Sequence, residues 1–89
     1  MVWTITFTSR AAKQAGKLPK RERDLLALLV RDLQLHGAVQ PSWNNYSKLG
    51  KDIHHCHLSY KWVACWHVQD GKMKLIEIYY AGSRENAPY

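Results

Sequence analysis

The chain of 89 residues is long enough for one small domain, which buries only about two-thirds of the surface its unfolded form exposes, and too short for a large multi-layer enzyme. Hydrophobic residues make up 46% and charged residues 22%, with five Gly and three Pro, which excludes a linker-like or low-complexity chain. Thirteen Lys and Arg against seven Asp and Glu leave a formal charge of +6, which favours a polyanion or an acidic protein as partner.

The Met1 end carries Val2, Trp3 and Ile5 but no basic segment followed by a long apolar run. Neither a signal peptide nor a membrane span is expected, and the cytoplasm is the expected compartment. Val2 to Thr8 alternates Trp3, Ile5 and Phe7 with Thr4, Thr6 and Thr8, the pattern of a half-buried strand. Ser9 is a candidate N-cap for a short helix through Ala11, Ala12 and Ala15 that Gly16 ends. Pro19 suits the first turn of a second helix reaching about His36, with an apolar stripe of Leu25, Leu26, Leu29, Val30 and Leu33, and Gly37 as its stop.

Ala38 to Gly50 is rich in Pro, Ser and Asn and reads as a loop anchored by Trp43 and Tyr46. Asp52 to Ser59, Trp62 to Gln69 and Lys72 to Tyr80 read as three strands, with Asp70-Gly71 as a two-residue hairpin signal. The tail from Ala81 to Tyr89 reads as irregular. The expectation for residues 1–89 is a single α+β domain: an N-terminal strand, a two-helix hairpin and a three-stranded antiparallel meander. Both helices should lie on one face of a four-stranded sheet, leaving the other face open.

Side chains can be assigned to faces by placing hairpin tips at Tyr60-Lys61 and Asp70-Gly71. Cys56 then lies opposite Cys65 and His57 opposite Ala64, which in turn faces Glu77. The core face collects Cys56, Leu58, Val63, Cys65, Ile76 and Ile78. The open face receives His55, His57, Trp62, Ala64, Trp66, Glu77 and Tyr79. An imidazole and a carboxylate sharing that face are equipment for acid–base work, although a solvated surface pair explains them too. His54, Cys56, Cys65 and His67 have zinc-ligand chemistry, but separations of one residue are tighter than the usual two to four or so. Reduced, buried thiols are expected on the core face, with no metal and no cofactor.

Residues 10 to 23 hold Arg10, Lys13, Lys17, Lys20, Arg21 and Arg23 against Glu22, a surplus of +5. Such a cluster suits phosphates, as it suits a solvated helix face. Lys48, Lys51 and Lys61 form a sparser group, and Trp62 and Trp66 beside them suit either base stacking or core packing.

Lys48-Leu49-Gly50, His55-Cys56-His57-Leu58, Trp62-Val63-Ala64-Cys65-Trp66, Ile76 to Tyr80 and the ending Gly82-Ser83-Arg84-Glu85-Asn86-Ala87-Pro88-Tyr89 together resemble the RelE/ParE superfamily of bacterial toxins. The resemblance covers essentially the whole chain and is most specific from Lys48 onward. It implies a ribosome-dependent endoribonuclease that cuts messenger RNA without a metal and is silenced by a cognate antitoxin. By that resemblance Arg84 matches the basic residue that stabilises the phosphate, and Tyr89 the tyrosine involved in proton transfer. Ser83 stands where some members carry a histidine, which leaves the base to His57, supported by Glu77, or to His55. Lys48, Lys51, His55 and Lys61 would hold the message, and the cluster from Arg10 to Arg23 would face ribosomal RNA. The alternatives are the gyrase-poisoning ParE branch and a non-catalytic RNA-binding or regulatory domain of the same fold.

Overall fold

The computed structural model describes residues 2–70 and 74–89, the side chain of Asp70 excepted. The first strand, β1 (Thr4–Phe7), is shorter than the alternating run around it. It ends where Thr8 turns its hydroxyl to accept a hydrogen bond from the Ala11 amide at 3.0 Å. Thr8 rather than Ser9 therefore caps helix α1 (Ser9–Gly16). Helix α2 (Lys20–His36) starts directly after Pro19 and buries Leu26, Leu29 and Leu33. It stops at Gly37, whose φ of 86° and ψ of −166° are open only to glycine.

Beyond the helix the side chains of the connecting segment take over its hydrogen bonding. The Gln40 amide donates to the carbonyls of Gly37 at 2.8 Å and Asp32 at 3.1 Å, and the Trp43 indole donates to the Asp32 carboxylate at 2.9 Å. The end of this segment corrects the sequence reading: Ser47–Gly50 is a strand, β2. Every residue of β2 is exposed, so it carries no alternation of polar and apolar residues from which a strand is recognised.

Strands β3 (Ile53–His57), β4 (Trp62–Asp70) and β5 (Leu75–Ser83) complete a five-stranded mixed sheet, not a four-stranded one, in the order β1-β5-β4-β3-β2. β1 runs parallel to β5, from Thr4 beside Leu75 to Phe7 beside Ile78, and the remaining pairs are antiparallel. A short 3-10 turn, Arg84–Asn86, follows β5. Among the described residues, no helix is long and apolar enough to cross a membrane.

The registers differ from those expected. Cys56 pairs with Ala64 and His57 with Val63, one residue away from the predicted alignment. Asp70 pairs with Leu75, so β4 and β5 do not meet at a two-residue turn at Asp70-Gly71, and Gly71 itself lies outside the described residues. A one-residue slip exchanges the faces of a strand, and it does so for β4. Ala64 and Trp66, fully buried, pack with Cys56, Leu58, Ile76 and Ile78 under the helices, with Trp62 against them. Val63 and Cys65 lie on the opposite face with Tyr80 and Tyr79. Both thiols are free and buried, but Cys65 is not on the helix side. Trp66 is part of the core, its indole donating to the Ala38 carbonyl at 3.0 Å, and so is not a surface for base stacking.

Gly37 joins the end of α2 to β1. A Cβ placed there would stand 2.9 Å from the Trp3 indole nitrogen, on a backbone conformation that side chains rarely adopt. Gly37→Ala is expected to lower unfolding stability by about 1–3 kcal/mol. Chemical denaturation of the two proteins checks this, and equal midpoints would refute it.

Candidate active site on the open face of the sheet

The face away from the helices holds His55 and His57 on β3, next to the edge strand β2. Their burial has a local cause: the Ser47 hydroxyl lies 3.0 Å from His55 Nδ1, and the His57 amide donates to the Asn44 carbonyl at 2.8 Å. The two imidazoles are 5.8 Å apart between ring centres, nearly perpendicular. The C-terminal Tyr89 folds back so that its ring lies 4.5 Å from that of His55.

Arg84 enters from the turn after β5. Its amide donates to the Lys61 carbonyl at 2.7 Å, tying the end of β5 to the β3–β4 turn, and its guanidinium stands 5.0 Å over the exposed Tyr60 ring. A cleft of about 300 Å³ opens here, lined by His57, Arg84, Tyr60, Ser59, Asn44 and Asn45.

Burial holds the His57 pKa below its ordinary value, and the neighbouring His55 and the Arg84 cation push it the same way. His55 is lowered by burial, opposed by its hydrogen bond with Ser47. Both rings are therefore neutral near pH 7 and able to accept a proton. Tyr89 moves the other way, raised by burial and only partly offset by Arg84, so its phenol stays protonated. Burial also pushes Cys65 and Tyr79 to about 12, which keeps that thiol from acting as a nucleophile.

His55, His57, Arg84 and Tyr89 thus meet at one end of the sheet. Glu77 does not join them. It pairs with His67 across β4 and β5, its Oε1 2.9 Å from His67 Nε2 and accepting from Gln69 Nε2 at 2.9 Å, and Ala64 faces Ala81 instead. The expected support of His57 by Glu77 is overturned by this register.

The lysines also divide. Lys61 borders Arg84, whereas Lys51 is in the turn before β3, at the far end of that strand from His57. Lys48 pairs with His54, whose ring stacks at 6.0 Å on Trp66 on the helix side. Neither Lys48 nor Lys51 is grouped with Arg84. Sequence reasoning missed Ser47, Asn44 and Tyr60, residues of turn and loop type that carry no periodic signal. Among the described residues, no three or more His, Cys, Asp or Glu come together as a metal-ligand set. The conceivable quartet is split, since Cys56 and Cys65 lie on opposite faces.

Neither a protein-family profile nor a curated protein matches the sequence. Solved structures do match. The archaeal RelE–RelB complex from Pyrococcus horikoshii aligns with a TM-score of 0.75 at 17% identity, over 98% of this chain and 100% of the other. The isolated E. coli RelE toxin gives 0.75 at 18%, over 97% and 88%. The E. coli DinJ–YafQ toxin–antitoxin complex gives 0.77 at 17%, over the whole of both chains. The chain has the RelE-like toxin fold, two helices on one face of a mixed sheet.

His54, His55 and His57 are all lowered by burial, so the folded chain binds fewer protons than the unfolded chain just below the ordinary histidine pKa of about 6.5. Their contribution to stability is complete above that value and falls with pH below it as the unfolded chain takes up protons. Denaturant midpoints are expected to drop between about pH 7.5 and about pH 5, and less steeply in His57→Asn. Parallel profiles for the two proteins would contradict this.

Proposed function

We propose that this chain is the toxin of a toxin–antitoxin pair, an endoribonuclease that cuts messenger RNA on the ribosome in the cytoplasm and is silenced by a protein antitoxin. The observation that carries the reading is the meeting of a neutral imidazole, a fixed guanidinium and a protonated phenol on the open face of a RelE-like toxin fold.

Cleavage by the neighbouring 2′-hydroxyl needs a base for that hydroxyl, positive charge for the crowded phosphate and an acid for the departing 5′-oxygen. His57 takes the 2′ proton as the 2′-oxygen attacks phosphorus. Arg84 stabilises the charge on the phosphate oxygens through the planar fork of its guanidinium. Tyr89 gives its proton to the 5′-oxygen as that bond breaks, leaving a cyclic phosphate and a 5′-hydroxyl. His55 sets the position of Tyr89 and is itself oriented by Ser47. All groups are side chains, and the scheme calls on no metal or cofactor.

The test is cleavage mapping on messages, with and without ribosomes, at matched protein levels. His57→Ala and Arg84→Ala are each expected to lower cleavage about a hundredfold or more. Tyr89→Phe should lower it while preserving the fold and antitoxin binding, because only a hydroxyl on an exposed ring is lost. Full activity in the Arg84→Ala, Tyr89→Phe double variant would refute the assignment. Efficient cutting of naked RNA would remove the ribosome from the reading. Intact messages with broken DNA would move the protein to the gyrase-poisoning branch, and RNA bound without cleavage to the non-catalytic one.

A further inference from the structure

The cleft at His57 does not end there. Its Tyr60 and Arg84 also line a second cleft of about 360 Å³, which Lys61, Trp62 and Ser83 extend. Trp62 and Ser83 in turn line a third, of about 590 Å³, closed on its far side by Arg10 and Gln14 of α1 and by Lys17, which caps its end. Shared residues join the three into one groove, running from His57 around the end of the sheet to α1.

The groove exists because β1 is short. β1 pairs with β5 only as far as Ile78, so the edge of β5 from Tyr80 to Ser83 has no strand beside it. α1 lies over that edge instead, and the Gln14 side chain accepts a hydrogen bond from the Ala81 amide at 3.2 Å. The floor is fixed by the Tyr80 hydroxyl donating to the Ser83 carbonyl at 2.6 Å. A Cβ at Gly82 would come within 3.0 Å of that hydroxyl.

Arg10, Lys17, Lys61 and Arg84 line the groove, with Glu85 as the carboxylate among the lining residues. Two aromatic faces, the exposed Tyr60 and the half-buried Trp62, are interleaved with these cations. Cations tracking a backbone with aromatics between them suit single-stranded nucleic acid, whose bases stack without regard to sequence. An acidic peptide would use the cations but has no need of the aromatic faces, and the groove begins at the catalytic end.

We propose that this groove is a single-stranded RNA track, which leads the message from His57 past Tyr60 and Trp62 to phosphate contacts with Arg10 on α1 and Lys17 at its end. The inference rests on the ribonuclease reading for its direction, but RNA binding can be measured apart from cleavage. The probe is a labelled, fully 2′-O-methylated oligouridine, which has no 2′-hydroxyl to react.

Arg10→Glu with Lys17→Glu is expected to weaken binding tenfold or more and to flatten the slope of log affinity against log salt by about 1.4, at about 0.7 for each lost phosphate contact on a single strand. The equal charge change Arg21→Glu with Arg31→Glu, on exposed positions outside the groove, should do much less. Tyr60→Ala, at a ring 74% exposed and so dispensable for folding, should weaken binding roughly tenfold. Equal losses from the two charge pairs, or no binding of the oligonucleotide by the unaltered protein at low salt, would overturn the track. A polyglutamate peptide that loses affinity on Arg10→Glu, Lys17→Glu while RNA binding stays unchanged would assign the groove to an acidic protein. Cleavage lost in His57→Ala with oligonucleotide affinity retained supports the track and the catalytic reading separately.

Discussion

Strand β4 is the constraint on which the rest of the structure depends. It lies between β3 and β5, and Val63, Ala64, Cys65 and Trp66 are each wholly buried. A strand covered on both faces fixes two layers at once. Ala64 and Trp66 supply the floor on which α1 and α2 pack, while Val63 and Cys65 supply the apolar base under Tyr79 and Tyr80 on the other side. The register to β3 then decides where His55 and His57 stand, and the register to β5 decides where Arg84 leaves the sheet.

The same double burial explains what the sequence could and could not disclose. β3 and β5 have one polar and one apolar side, so His55 and His57 against Cys56 and Leu58, and Glu77 and Tyr79 against Ile76 and Ile78, were assigned to the correct faces by alternation alone. Trp62-Val63-Ala64-Cys65-Trp66 offers no polar side from which to take a phase. Its faces had to come from a guessed turn, and an error of one residue exchanged them. The irregularity between Cys65 and Trp66, which shifts the pairing to β5, leaves no trace in the residue types either. Glu77 was paired with the wrong histidine for this reason. Arg84 and Tyr89 were legible only through resemblance, because no periodicity marks an irregular tail. β2 was missed because an exposed edge strand buries nothing.

The candidate site occupies the end of the sheet where regular pairing stops, and there the fold can place groups without disturbing its core. Arg84 is positioned through its backbone amide, whose bond to the Lys61 carbonyl fixes where its side chain leaves the sheet. Tyr60 supports it through the ring face, a contact that keeps the charge intact. The causes that shift His55 and His57 include no carboxylate, and Glu77, which the sequence suggested for His57, is engaged by His67 and Gln69 instead. A carboxylate beside His57 would have raised its pKa and stored the proton before the substrate arrived.

On the ribonuclease reading, the substrate itself would supply the negative charge that acts on His57. In the free protein His57 is held neutral by burial, by His55 and by the Arg84 cation. A phosphate seated on Arg84 would offset the last of these, since its negative charge acts on the ring with the opposite sign. The basicity of His57 would therefore rise with a phosphate in place. On the same reading, an imidazole too weak a base to hold a proton in the empty cleft would become a stronger one once a phosphate is bound. Tyr89 would move the same way: Arg84 lowers its pKa as well, so a phosphate that offsets the cation would leave the phenol holding its proton more firmly. On the ribonuclease reading, the charge of a phosphate bound at the end of β5 would raise both pKa values, strengthening His57 as a base and keeping the proton on Tyr89.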